Sequence, residues 1–183
     1  MVKNGYIVHE QYYNGWTVSS MREGYSTTKS HCSTLYGIAR LQGWANASEL
    51  VRDRNDGDTR QCNSDATFRH VLWMAAEGED MDNPAFFYDA NGVSCLDVLS
   101  DFIELNNPQG LTAEQFAQQF WSTPLGMENF EWEQSAGPGG YLQCGISSRT
   151  SCRDLARAGQ LYLLFSSLSI WWLCIYLPSQ QDG

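Results

Sequence analysis

Ser26-Thr27-Thr28-Lys29 sets a hydroxyl and an amine three positions apart, at the point where a helical pattern begins. On a helix that spacing puts both side chains on one face, about one turn apart. A serine hydroxyl is a weak nucleophile until a base takes its proton. Lysine can be that base where desolvation and neighbouring positive charge, including the positive end of a helix, favour its neutral form. The helix N-terminus also offers backbone N–H groups to a developing oxyanion. The chemistry at stake is acyl transfer through a serine. Alone, the pattern is weak, because serines are common in this chain. The competing reading is a Ser/Thr-rich helix start with a solvated lysine.

The elements that must carry these residues are legible in outline. Asn4-Gly5 between apolar residues predicts a hairpin, with strand formers running from Tyr6 to Tyr13. From Ser26, the residues Cys32, Leu35, Tyr36, Ile38, Ala39 and Leu41 follow helical spacing, and Gly43 stops them. A second helix is expected from Ala66 to Ala76 with Asp65 as its cap, and a third from Val93 to Leu105. A fourth opens at Thr112, where Thr112 and Gln115 form a capping box. Gly137-Pro138-Gly139-Gly140 marks a loop, a strand is expected over Tyr141 to Gly145, and Ser151 with Asp154 caps a last helix. The fold class is α+β, with a mostly helical subdomain over about 46–140 and an antiparallel sheet drawn from the two ends.

Composition narrows the partners. The net charge is −10. Lys3 and Lys29 are the two lysines, so no basic stripe exists to neutralise phosphates and nucleic acid is excluded as a partner. The six cysteines show neither C-x-x-C nor paired histidines at ligand spacing, so neither a metal nor another cofactor is expected. They read as buried free thiols; disulfides would need an exported protein. The sequon Asn46-Ala47-Ser48 would then permit glycosylation. No apolar leader follows Met1, so the protein stays inside the cell or its true start lies upstream. Leu161 to Leu177 is almost wholly apolar. It reads as a marginal membrane helix, as a buried helix and strand, or as a tail foreign to the fold.

Five ordered stretches together resemble the serine β-lactamase-related hydrolases, which include class C β-lactamases, D-alanyl carboxypeptidases, certain esterases and 6-aminohexanoate-dimer hydrolases. The first runs from Gly5 to Gly15 and on through Tyr25-Ser26-Thr27-Thr28-Lys29-Ser30 to Gly37-Ile38-Ala39. Thr67 to Met74, Phe87-Tyr88, Pro124-Leu125-Gly126-Met127, and Gly145-Ile146-Ser147-Ser148 with Arg153 to Leu161 follow in the family's order. The resemblance implies a partial fold of the β-lactamase and penicillin-binding-protein type over 1–163, followed by a non-family apolar tail over 164–183. It implies Ser26 as nucleophile, Lys29 as its activating partner and Tyr88 as proton shuttle, acting on a small ester or amide. The family's Tyr-x-Asn has Ala90 in its third place here, which leans toward the esterase and nylon-oligomer branches. The family's later Lys-Thr-Gly or His-x-Gly strand, which donates an oxyanion N–H, has no counterpart after Phe165. That departure implies a shortened member with weakened catalysis. The rival expectations are a non-catalytic remnant and a binding module tethered to a membrane through 161–177.

Overall fold

Asn4 and Gly5 both take positive φ, 52° and 81°. This two-residue turn suits the twist of a hairpin, and it pairs β1 (Val2–Lys3) with β2 (Tyr6–Ile7). The computed structural model describes residues 1–88, 95–132 and 142–167. A second sheet, antiparallel throughout, is built from β3 (Met21–Glu23), β4 (Phe130–Trp132) and β5 (Ser148–Ser151), with β5 in the middle. The central strand β5 lies outside the strand expected over Tyr141 to Gly145. Of the expected Tyr141–Gly145 strand, Tyr141 lies outside the described residues, Leu142 makes a single β-bridge, and the chain turns at Cys144–Ile146 before β5 begins. Ser-Arg-Thr-Ser carries no apolar alternation. It is buried through its hydrogen bonds, Ser148 with Thr28 and Ser151 with Asp154.

Among the described residues six α-helices complete the α+β architecture: α1 (Thr27–Leu41), α2 (Val51–Arg54), α3 (Phe68–Leu72), α4 (Val98–Asn106), α5 (Ala113–Ala117) and α6 (Cys152–Ser167). The apolar stripe of α1 buries Cys32, Leu35, Tyr36 and Ala39. There Tyr36 stacks on Phe68 at 5.1 Å between ring centroids, and Phe102 meets both at 5.2 and 4.9 Å. Aromatic contacts of this kind add about 0.5–1.5 kcal/mol each beyond their buried area.

The capping box at the start of α5 is present: Gln115 N–H donates to Thr112 Oγ1 at 3.2 Å, and Thr112 N–H donates to Gln115 Oε1 at 2.9 Å. The second helix is shorter than 66–76. Its cap is Thr67, whose N–H is taken by His70 Nδ1, while Asp65 instead accepts from Arg52 at 2.6 Å. The third helix begins as a tight turn at Cys95–Asp97, and Val93 lies outside the described residues.

The cysteines overturn their first reading as free thiols. Cys32–Cys144 and Cys62–Cys95 are disulfides, and Cys152 is a free, exposed thiol. Residues 168–183 lie outside the described part, and with them most of the apolar tail. Among the described residues no helix is long and apolar enough to cross a membrane.

His31 gives the fold a measurable pH response. It is buried on α1, ringed by Trp121, Phe130 and Trp132 at 5.5–6.1 Å, and its Nδ1 has no hydrogen-bond partner among the described residues. Burial pushes its pKa down from 6.5 to about 4. The unfolded chain therefore takes up a proton that the folded chain refuses. The stability present above pH 6.5 is lost as pH falls toward 4. Asp97 acts in the opposite sense. Its carboxyl is pushed up to about 6, chiefly by burial, so its contribution grows on acidification through that range. Burial raises Asp101 as well. The difference between wild type and His31→Phe isolates the histidine. By urea denaturation the variant should gain about 2 kcal/mol on wild type between pH 7.5 and 4.5. An unchanged difference would show that His31 does not titrate this way.

Candidate active site

The chain passes from β3 into α1 through Gly24-Tyr25-Ser26. Gly24 N–H donates to the Ser148 carbonyl at 2.7 Å, closing the end of the strand. Tyr25 then takes φ +44°, a left-handed conformation that an aromatic side chain rarely adopts and that is commonly found at functional turns. The N–H groups of Thr27, Thr28 and Lys29 donate to the carbonyls of Gly24, Tyr25 and Ser26. These first helical amides are spent inside the turn, so the sequence expectation that they face an oxyanion is not met for these three.

Ser26 stands at the N-cap of α1, where a serine side chain ordinarily caps the helix, yet it makes no capping bond. Its Oγ instead shares a short hydrogen bond with the Tyr88 hydroxyl and accepts from Lys29 Nζ at 3.4 Å. Lys29 is buried, and its ammonium also donates to the Gly145 carbonyl at 2.9 Å and lies 5.3 Å from the centroid of the Tyr88 ring. Tyr88 arrives from far along the chain, with Phe87 N–H fixed to the Met74 carbonyl at 2.8 Å. Ser26, Lys29 and Tyr88 thus meet in one place. Ala90 and Asn91, the rest of the tyrosine stretch, lie outside the described residues.

Several supports for this cluster carry no sequence signal of their own. Thr28 Oγ1 hydrogen-bonds Ser148 Oγ at 2.7 Å and accepts from Ser148 N–H at 3.1 Å, clamping α1 to the central strand. Gly145 is held beside α1 by the neighbouring disulfide Cys32–Cys144. Cys32 lies three residues after Lys29 on the helix, but nothing in the spacing of six cysteines names its partner.

Gly24 is required by close packing. A Cβ there would lie 2.6 Å from Thr27 Oγ1, 2.8 Å from Ser148 Oγ and 3.2 Å from the Ser148 carbonyl oxygen. These atoms are short and already hydrogen-bonded, so they cannot swing aside. Gly24→Ala should cost about 1–3 kcal/mol, as overpacking does, by displacing the turn that carries Ser26. Gly159 on α6 is the control, since a Cβ there meets nothing within 4 Å. Gly159→Ala should stabilise by about 0.5–1 kcal/mol through helix propensity. Thermal melts of both variants check this, and equal shifts in the same direction would contradict it.

No protein-family model matches the chain, and no curated protein sequence matches it. Solved structures do match, and they define the class: the chain has, in part, a serine β-lactamase-like fold of the kind shared with penicillin-binding proteins. One match is described as a 6-aminohexanoate-dimer hydrolase from Bacillus anthracis, with a TM-score of 0.67 at 16% identity, covering 89% of this chain and 53% of that one. Another is a β-lactamase from Bacteroides dorei, with a TM-score of 0.66 at 16% identity, covering 90% and 55%. A penicillin-binding protein from Bacillus halodurans follows, with a TM-score of 0.61 at 10% identity, covering 81% and 62%. The chain therefore spans a little over half the length of these structures. Likeness at such identities establishes the fold alone.

Proposed function

We propose that this chain is a serine hydrolase that cleaves a small ester or amide through an acyl-enzyme. The observation carrying the proposal is that Ser26 Oγ, released from helix capping, touches both Lys29 Nζ and the Tyr88 hydroxyl. In the proposed mechanism the Tyr88 oxygen, held as a phenolate by the Lys29 ammonium, takes the Ser26 proton as Oγ attacks the substrate carbonyl. The proton passes through the Tyr88 hydroxyl to the leaving alkoxide or amine as the C–O or C–N bond breaks. Water then attacks the Ser26 ester, gives its proton back along the same path, and releases the acid with the Ser26 hydroxyl restored. The partner is a small molecule, and no step calls for a metal or an organic cofactor. Hydrolysis of p-nitrophenyl butyrate tests the reading. Turnover should require Ser26, and a rate unchanged in Ser26→Ala would refute it.

A further inference from the structure

We infer that Asp97 is a positioning residue for Lys29, acting through the backbone of Cys144 and Gly145; the inference deepens the hydrolase reading and rests on it. Asp97 closes the tight turn ahead of α4 and is buried, 5% exposed. Its Oδ1 accepts the Cys144 N–H at 2.7 Å, and the next carbonyl but one along the chain, that of Gly145, accepts from Lys29 Nζ at 2.9 Å. The disulfide to Cys32 fixes where Cys144 lies, while the bond to Asp97 fixes how the backbone entering it is turned. Ser100 Oγ braces the same segment by donating to the Leu142 carbonyl at 2.6 Å.

Other charged groups lie near this carboxylate. Its neighbour Asp101 forms a two-pronged pair with Arg60, at 2.5 and 2.9 Å, and accepts from Asn55 at 3.4 Å. The charges facing Asp97 are thus Arg60, Asp101 and Lys29. A buried ammonium with neutral acceptors has no strong partner to centre it, so the direction of the Gly145 carbonyl decides whether Nζ reaches Ser26. Asp97 touches neither the nucleophile nor a substrate.

The chain's two lysines make the test direct, since ε-13C-lysine labelling gives one signal for buried Lys29 and one for exposed Lys3. In Asp97→Ala the Lys29 signal should move toward that of Lys3, and fluorophosphonate labelling of Ser26 should slow about tenfold or more. Asp97→Asn keeps an acceptor for the Cys144 N–H and should return both readouts close to wild type. Asp97→Leu, branched like Asp and larger, leaves no cavity and replaces the alanine variant if that variant fails to fold. A Lys29 signal and labelling rate at wild-type values in the alanine or leucine variant would overturn the inference. So would an asparagine variant that behaves like alanine. If wild-type Ser26 takes no label, the hydrolase reading fails, and the lysine spectrum alone still decides the tether.

Discussion

Lys29→Met should leave the protein folded and slow acylation of Ser26 by about a hundred- to ten-thousandfold, the range in which a positioned acid–base group contributes. Methionine fills most of the volume of the lysine stem and removes the one group that donates to both Ser26 Oγ and the Gly145 carbonyl. It also removes a buried charge whose partners in this cluster are neutral oxygens. Deleting such a charge commonly leaves stability unchanged or improves it. The two readouts therefore diverge: melting temperature steady or raised, fluorophosphonate labelling rate collapsed. A labelling rate within about threefold of wild type would show that Ser26 draws its reactivity from elsewhere, and a matching collapse in stability would make Lys29 structural.

The largest expected change in stability comes from the bridge beside that lysine. Cys32–Cys144 joins residues 112 apart, and a bridge closing a loop of that size restrains the unfolded chain strongly. Cys62–Cys95 shortcuts 33 residues inside that loop and trims the gain. Cys32→Ala/Cys144→Ala should cost about 2–5 kcal/mol, against less for Cys62→Ala/Cys95→Ala, whose loop is shorter. For a chain of this size each kcal/mol moves the melting temperature by about 2–4 °C. The first pair should also slow Ser26 labelling, because the backbone holding Lys29 loses its covalent anchor; the second should not. Equal losses from the two pairs would contradict this ordering.

What the sequence carried, and what it hid, divides along physical lines. Local signals held where local chemistry decides: Asn4-Gly5 made its turn, the stripe from Cys32 to Leu41 made α1, and Thr112 with Gln115 made the cap of α5. The central strand was not legible because Ser148–Ser151 is buried through polar bonds to Thr28 and Asp154, which leave no apolar period to read. The disulfides were missed because pairing depends on which distant segments meet in the fold, and six scattered cysteines do not encode that. At the site, Ser26 and Lys29 were visible as a one-turn pair, and Tyr88 only through its resemblance to a known motif. The Gly145 carbonyl and Asp97 could not be seen at all: a backbone oxygen has no residue type, and an aspartate opening a helix usually reads as a cap.

The most direct test of the account is to treat the protein with a fluorophosphonate, digest it and locate the adduct by mass spectrometry. One adduct per chain on Ser26, absent from Ser26→Ala and strongly reduced in Lys29→Met, is the expected result. An adduct on any other residue, or none under conditions where the protein is folded, would contradict the assignment of Ser26 as nucleophile.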